Sequence, residues 1–121
     1  MSQDQNLLWS QLRSEEVRPG ISLQRVDAER VTVIHYSYAP GSIFPAHSHP
    51  EEQVTLILSG EIEFEIADKR VRAERDSVLV IPSGVVHGAR VLGDTIVDTL
   101  NVFSPRRTQA IAFAPPASSS A

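Results

Sequence analysis

The chain of 121 residues contains no cysteine. Disulfide bonds and thiolate metal sites are therefore excluded, and any metal would be held by histidine, carboxylate or amide groups. Basic residues are in the minority, with 11 Lys and Arg against 15 Asp and Glu, so the clustered cations of a nucleic-acid-binding surface are missing. Apolar runs of membrane-spanning length and an N-terminal export signal are also absent. These absences predict a cytoplasmic protein that binds neither nucleic acid nor membrane.

Glycine and proline interrupt the chain often, for example at Pro19–Gly20 and Pro40–Gly41, which leaves little room for long helices. The segments between them alternate apolar with polar residues, most clearly in EIEFEI at residues 61–66. About eight such short strands predict a single all-β domain, a sandwich or barrel. Ser59–Gly60, between two strand-like runs, predicts a tight hairpin. A weak helical turn near residues 6–13 is expected to pack on the outside of a sheet.

Two histidines stand close together in the stretch HSHPEEQ at residues 47–53. Residues two apart on a strand share a face, so His47 and His49 can point the same way, and Gln53 can join them after the bend. His87 follows the turn signal IPSG later in the chain. Three imidazoles and an amide oxygen form a plausible ligand set for a divalent ion such as Zn, Ni, Mn or Fe. Spacing alone leaves open the alternative of solvated histidines in a polar loop.

The wider spacing resembles the two sequence motifs of the cupin superfamily. The first motif is matched, with five, one, three and six intervening residues, by Gly41, His47, His49, Gln53 and Gly60. The core of the second motif is matched by PSG at residues 82–84, which is separated from His87 by two residues. Gln53 stands where the family usually has glutamate. Asp76 and Val91 also depart from the second motif, at its usual first glycine and last asparagine.

This resemblance implies a double-stranded β-helix, the jelly-roll barrel of cupins, over residues 20–105. An N-terminal arm at residues 1–19 precedes it. A C-terminal tail at residues 106–121 follows, and its Pro, Ser and Ala segment at 114–121 is expected to be disordered. Cupins are usually dimeric, and apolar positions on the strand at residues 53–59 need cover. A homodimer is therefore expected, with N-terminal strands that cross onto the partner's sheet.

The resemblance places the metal inside the barrel at His47, His49, Gln53 and His87. A neutral amide in place of a carboxylate leaves the full charge of the ion, which should make it a stronger Lewis acid and lower the pKa of bound water. Glu52 has the opposite strand parity to Gln53, and Glu51 and Glu52 are both expected to face the rim or solvent.

A narrower resemblance links HSHPEEQ, the early Trp9 and the C-terminal NVFSPRR to single-domain cupins related to the pectin-degradation protein KdgF. Those enzymes open the ring of unsaturated monouronates with a metal held by three histidines and a glutamine. The resemblance implies that Arg107 binds a substrate carboxylate, and the alternative is an exposed tail charge. It also places Asn101 on the inward face of the last strand, at the cavity near the metal, where those enzymes carry an aspartate that serves as acid or base. Asparagine transfers no protons at neutral pH, so uronate ring opening is expected to be slow.

Three functions remain open. The first is a metal-dependent lyase or isomerase that acts without redox change on a small oxygen-rich substrate, such as a sugar acid or keto compound. The second is an iron-dependent dioxygenase, and the third is a non-catalytic metal- or ligand-binding protein.

His35 matches no motif position and is expected to be a packing or surface residue, while Tyr36 and Tyr38 could line a pocket, a core or a dimer interface.

Overall fold

The computed structural model describes residues 6–108, so the tail expected to be disordered at residues 114–121 lies outside the described part. Within it, a 3₁₀ turn at Trp9–Gln11 is followed by ten strands. The strands are β1 (Glu15–Arg18), β2 (Ile21–Asp27), β3 (Thr32–Tyr38), β4 (Ile43–His47), β5 (Glu52–Ser59), β6 (Glu61–Ile66), β7 (Lys69–Glu74), β8 (Val78–Ile81), β9 (His87–Leu92) and β10 (Val97–Ser104). Among residues 6–108, no helix is long and apolar enough to cross a lipid bilayer.

The strands form two antiparallel sheets that face each other. The larger has six strands in the order β1-β2-β3-β10-β5-β8, and the smaller has four in the order β4-β9-β6-β7. Several neighbours in each sheet are far apart in sequence, as in β3 and β10 or β4 and β9, which is typical of a jelly roll. The predicted all-β jelly-roll fold is confirmed.

Alternating residues of each strand fill the space between the sheets. On β6, Ile62 and Phe64 are buried, and the intervening Glu63 points outward, as the alternating pattern predicted. On β10, the buried positions are Val97, Thr99, Asn101 and Phe103. Half of that inward face is therefore polar, which is unusual for a core that must satisfy every buried hydrogen-bonding group.

The hairpin predicted at Ser59–Gly60 is wrong. β5 pairs with β10 and β8, and β6 pairs with β7 and β9, so the chain passes at Gly60 from one sheet to the other. Gly60 has a φ of +84°, and a Cβ there would lie 2.7 Å from Cγ2 of Val97. The glycine marks a close crossing between sheets, and strand alternation alone does not say which strands pair.

The N-terminal turn packs on the outward face of the six-stranded sheet. The amide of Gln24 on β2 donates to the carbonyls of Trp9 (2.6 Å) and Leu12 (3.0 Å), and the Trp9 ring lies 5.5 Å from the ring of His35. This agrees with the helical turn expected on the outside of a sheet. The following strand, β1, pairs with β2 of its own chain.

Candidate metal centre

Two of the three clustered histidines are held opposite each other by strand pairing. His47 ends β4, His87 begins β9, and the two are partners in the antiparallel register, with ring centroids 4.4 Å apart. Gly88, the next residue, lets the strands approach closely, since a Cβ there would lie 2.9 Å from the carbonyl oxygen of Phe44. His49 follows β4 in the turn before β5, and its ring centroid is 4.9 Å from that of His87.

Each histidine is oriented by a backbone carbonyl two residues away. The Nδ1 to oxygen distances are 3.0 Å for His47 to Pro45, 3.1 Å for His49 to Glu51 and 2.9 Å for His87 to Val85. A carbonyl oxygen only accepts hydrogen bonds, so Nδ1 carries the hydrogen in each ring. The lone pair is thereby left on Nε2 in all three histidines, which is the form that binds a metal.

The surroundings also keep these rings neutral. Burial lowers the pKa of His47 to about 4, from an ordinary value of 6.5. Burial lowers the pKa of His49 and of His87 in the same direction, and the nearby Arg107 guanidinium adds to the effect. At neutral pH the three imidazoles are therefore unprotonated and available as ligands.

A chain of hydrogen bonds sets the orientation of the Gln53 amide. It starts at the backbone carbonyl of Ile34, which accepts from Nδ2 of Asn101 (3.1 Å). Oδ1 of Asn101 then accepts from Oγ1 of Thr55 (2.7 Å) and from Nε2 of Gln53 (3.2 Å). With its nitrogen committed there, Gln53 presents Oε1 to Nε2 of His49 at 3.0 Å.

Two lone-pair atoms that face each other at this distance need a positive charge between or beside them. Ligands about 2.1 Å from one ion and at right angles to each other lie about 3 Å apart, which matches the 3.0 Å between Nε2 of His49 and Oε1 of Gln53. The ligand atoms of His47, His49 and His87 all lie within 4.8 Å of one another. The residues therefore fit a divalent transition-metal ion.

The site opens into a small, largely aromatic cavity. Its lining comprises Tyr36, Tyr38, Phe44, His47, His49, Gln53, Phe64, His87, Gly88, Ala89, Phe103 and Arg107. The cavity has a volume of about 20 Å³, which is room for little more than one water molecule or an ion. Burial raises the pKa of Tyr36 and of Tyr38, so both phenols keep their hydrogens.

The sequence model of the family described as "Cupin domain" matches residues 34–103. The chain belongs to the cupin family. This matched range contains all three clustered histidines together with Gln53 and Asn101.

Individual relatives share the fold with less sequence in common. The solved structure of KdgF from Halomonas sp. superposes with a TM-score of 0.80 at 21% identity, over 88% of this chain and 97% of that one. Germin-like protein 5-1 of Oryza sativa subsp. japonica is 36% identical over 57% of this chain and 31% of its own length. Acireductone dioxygenase of Puccinia graminis f. sp. tritici is 26% identical over 80% of this chain and 61% of its own length. The chain thus spans less than two thirds of these two curated relatives.

Arg107 of this cupin lies at the cavity rather than in an exposed tail. Its backbone N–H donates to Oγ1 of Thr32 (3.0 Å), and its carbonyl accepts from the guanidinium of Arg25 (3.1 Å). The guanidinium carbon lies 5.1 Å from the centre of the Phe103 ring, and the side chain is 12% exposed. These contacts hold a positive charge beside the histidine cluster.

The expectation that Glu51 faces the rim or solvent is wrong. Glu51 is 4% exposed, and its Oε1 lies 3.4 Å from Nδ1 of His49 and 3.8 Å from a terminal nitrogen of Arg107. The parity argument applies to Glu52 alone: Glu51 lies two residues before Gln53, so a period of two places it on the same inward side as Gln53. Glu52 is exposed, as expected.

Asn101 lies on the inward face, as expected, but it does not line the cavity. Oδ1 accepts two hydrogen bonds, and Nδ2 donates to Ile34 and to Oγ1 of Thr99 (2.9 Å). These four contacts use the full hydrogen-bonding capacity of an amide.

Outside the barrel, His35 lies half-buried between Gln24 and Asp98, in keeping with the packing or surface role expected for it.

The lowered pKa values predict acid sensitivity of the metal-free protein. A histidine whose pKa is lower in the folded chain binds fewer protons when folded, so its contribution to stability is complete above the unfolded pKa and is lost as the pH falls. From the value of about 4 for His47, we expect the free energy of unfolding to decrease between pH 6.5 and 4, with roughly 1–3 kcal/mol due to this residue. Urea denaturation at constant ionic strength measures it.

The control for this measurement is His47→Gln, whose amide takes up no proton. Its free energy of unfolding should vary less steeply with pH over the same window than that of the unaltered protein. An identical slope in the two proteins would contradict the assignment to His47.

Proposed function

We propose that this cupin is a metal-dependent lyase or isomerase that acts, without redox change, on a small oxygen-rich substrate such as a sugar acid or keto compound of carbohydrate metabolism. The observation that carries the proposal is a set of neutral groups: three imidazoles whose ligand atoms lie within 4.8 Å of one another, and an amide oxygen 3.0 Å from Nε2 of His49. A divalent ion bound there, such as Ni, Zn, Mn or Fe, supplies a Lewis acid for a substrate carbonyl, hydroxyl or carboxylate.

The surrounding side chains have roles that suit such a substrate. Arg107 offers a guanidinium at the cavity, which binds a substrate carboxylate and orients it. The protonated phenols of Tyr36 and Tyr38 can donate hydrogen bonds to oxygen atoms that gain negative charge during the reaction. The aromatic walls formed by Phe44, Phe64 and other rings exclude water.

Specific observations favour two other functions. A dioxygenase is favoured by the match to acireductone dioxygenase, since imidazole ligands also suit iron. A non-catalytic binding protein is favoured by the cavity lining, which contains no Asp or Glu among the described residues. Without such a group, proton transfer would depend on bound water or on the substrate itself.

Oxygen dependence separates these functions. We expect the protein reconstituted with Ni, Zn or Mn to convert a member of a panel of carbonyl compounds and uronates in the absence of oxygen, as followed by NMR of the reaction mixture. Oxygen consumption by the Fe-loaded protein on the same panel would instead support the dioxygenase. Metal binding without turnover of any compound would support the binding protein.

Asn101→Asp is the informative variant within this experiment. We expect the unaltered protein to open unsaturated uronates slowly, because asparagine transfers no proton. Because Asn101 lies behind the cavity lining and orients Gln53, the variant should raise that rate at least about tenfold only if position 101 reaches the substrate when it binds. Fast ring opening by the unaltered protein would mean that the base lies elsewhere. No gain in the variant would show that position 101 takes no part in proton transfer, in agreement with its place behind the cavity lining, and would favour another small-molecule lyase or isomerase reaction.

We also propose that the protein works as a homodimer in the cytoplasm. The outward face of the six-stranded sheet carries apolar residues that nothing in the described chain covers fully, with exposed fractions of 61% for Val78, 56% for Val80 and 43% for Leu58. On β5, Val54 and Leu56 lie opposite Val80 and Val78 and extend this surface. A contiguous apolar patch of this kind is typical of a protein interface. Since β1 pairs with its own β2, the dimer could form without the strand exchange expected from the family.

Light scattering during gel filtration measures the assembly. We expect about twice the chain mass of 13.3 kDa at micromolar concentration, and the mass of one chain for Val80→Lys, which places a charge in the apolar surface. The control is Ile43→Lys, since Ile43 is 62% exposed but lies on the other sheet, and it should remain dimeric. A single-chain mass for the unaltered protein would contradict the homodimer.

A further inference from the structure

Glu51 is a buried carboxylate that the proposed function leaves without a role. Among residues 6–108, no other Asp or Glu side chain is buried. Oε1 of Glu51 has no hydrogen-bond partner, and Nε of Arg107 is also buried without one. Buried polar atoms in folded proteins are nearly always satisfied, so an unsatisfied carboxylate oxygen needs an electrostatic explanation.

The carboxylate has two positive neighbours once a metal is bound. On one side, Oε1 lies 3.4 Å from Nδ1 of His49, whose opposite nitrogen, Nε2, faces the proposed ion. On the other side, the same oxygen lies 3.8 Å from the Arg107 guanidinium. Glu51 thus stands between the metal-binding imidazole and the arginine, within reach of both charges.

Arg107 is held in place by contacts that do not involve Glu51. Its backbone is fixed at both its N–H and its carbonyl, by Thr32 and Arg25, and its guanidinium rests on the Phe103 ring. The positive charge therefore stays near the site whether or not Glu51 is ionised or present. Without a carboxylate, this charge would repel a divalent ion at the histidines.

The ligand set itself supplies no negative charge, because imidazole and amide are neutral. We propose that Glu51, which lies behind the ligands, provides the negative charge that the neutral amide of Gln53 does not provide. The carboxylate attracts both the metal, through His49, and the Arg107 guanidinium. Glu51 is a positioning residue in this account: it acts through His49 and Arg107 and does not touch the ion. The inference rests on the proposed metal site.

The proposal predicts effects of opposite sign for the two charged neighbours. Removal of the Glu51 carboxylate leaves Arg107 uncompensated and should weaken metal binding, by about 10- to 100-fold as for other residues that support a ligand histidine. Removal of the Arg107 charge leaves the carboxylate to the metal alone and should strengthen binding severalfold. A purely structural role would weaken binding in both variants, because both changes disturb the same buried pair.

The measurement is competition for Zn²⁺ between a chromophoric chelator and the full chain, with folding of each variant checked by circular dichroism. Glu51→Gln should raise the dissociation constant at least about tenfold. Glu52→Gln is the matched control: it removes the same charge one residue away on an exposed side chain, and its constant should stay within twofold of that of the unaltered protein. Arg107→Gln should lower the constant.

The double variant of Glu51→Gln and Arg107→Gln keeps the test decisive if Glu51→Gln alone does not fold, since it leaves neither charge uncompensated. Its dissociation constant should lie near that of the unaltered protein. Weaker binding in Arg107→Gln, equal losses in Glu51→Gln and Glu52→Gln, or no loss in Glu51→Gln would each overturn the inference while leaving the metal site intact. Absence of Zn²⁺ binding by the unaltered protein would overturn the site and the inference together.

Discussion

The contact between Nε2 of His49 and Oε1 of Gln53, at 3.0 Å, is the constraint on which the rest of the site depends. Neither group can turn away from the other. Nδ1 of His49 donates to a backbone carbonyl, and the Gln53 nitrogen is engaged by Asn101 and Thr55. Two hydrogen-bond acceptors held face to face in a buried place repel each other unless a cation or a proton lies between them. The fold therefore holds a position of unsatisfied negative potential that suits a divalent ion.

This constraint is imposed by hydrogen bonds that cross three strands. Asn101 on β10 lies between Ile34 on β3 and Thr55 on β5 in the sheet register. Its hydrogen bonds to the Ile34 carbonyl and to Gln53 fix the orientation of the Gln53 amide. An aspartate at position 101 would need to keep its proton in order to donate to Ile34 as the asparagine does. The amide thus orients the ligand without adding a charge, which leaves Glu51 as the buried negative group beside the site.

Local sequence patterns predicted the parts of this arrangement that depend on local geometry. Alternation along β6 and β10 identified inward residues such as Phe64 and Asn101, and motif spacing selected His47, His49, Gln53 and His87. Spacing did not reveal that Ser59–Gly60 connects two sheets, because strand partners are set by residues distant in sequence. The expectation for Glu51 was wrong because it extended to this residue an argument that holds only for Glu52, whereas Glu51, two residues from Gln53, shares its buried side. The hydrogen bonds of Asn101 could not be predicted at all, since they require the position of Ile34 on another strand.

X-ray absorption spectroscopy of the protein loaded with one equivalent of a divalent ion such as Zn²⁺ tests the central claim most directly, because it reports the atoms bound to the metal. The account predicts a shell of imidazole nitrogens and oxygen at about 2.0–2.2 Å, with multiple-scattering features that fit three imidazoles. Conversion of His87 to alanine should reduce the fitted number to two. A shell of carboxylate oxygens with one imidazole or none would place the ion on the acidic surface and contradict the account.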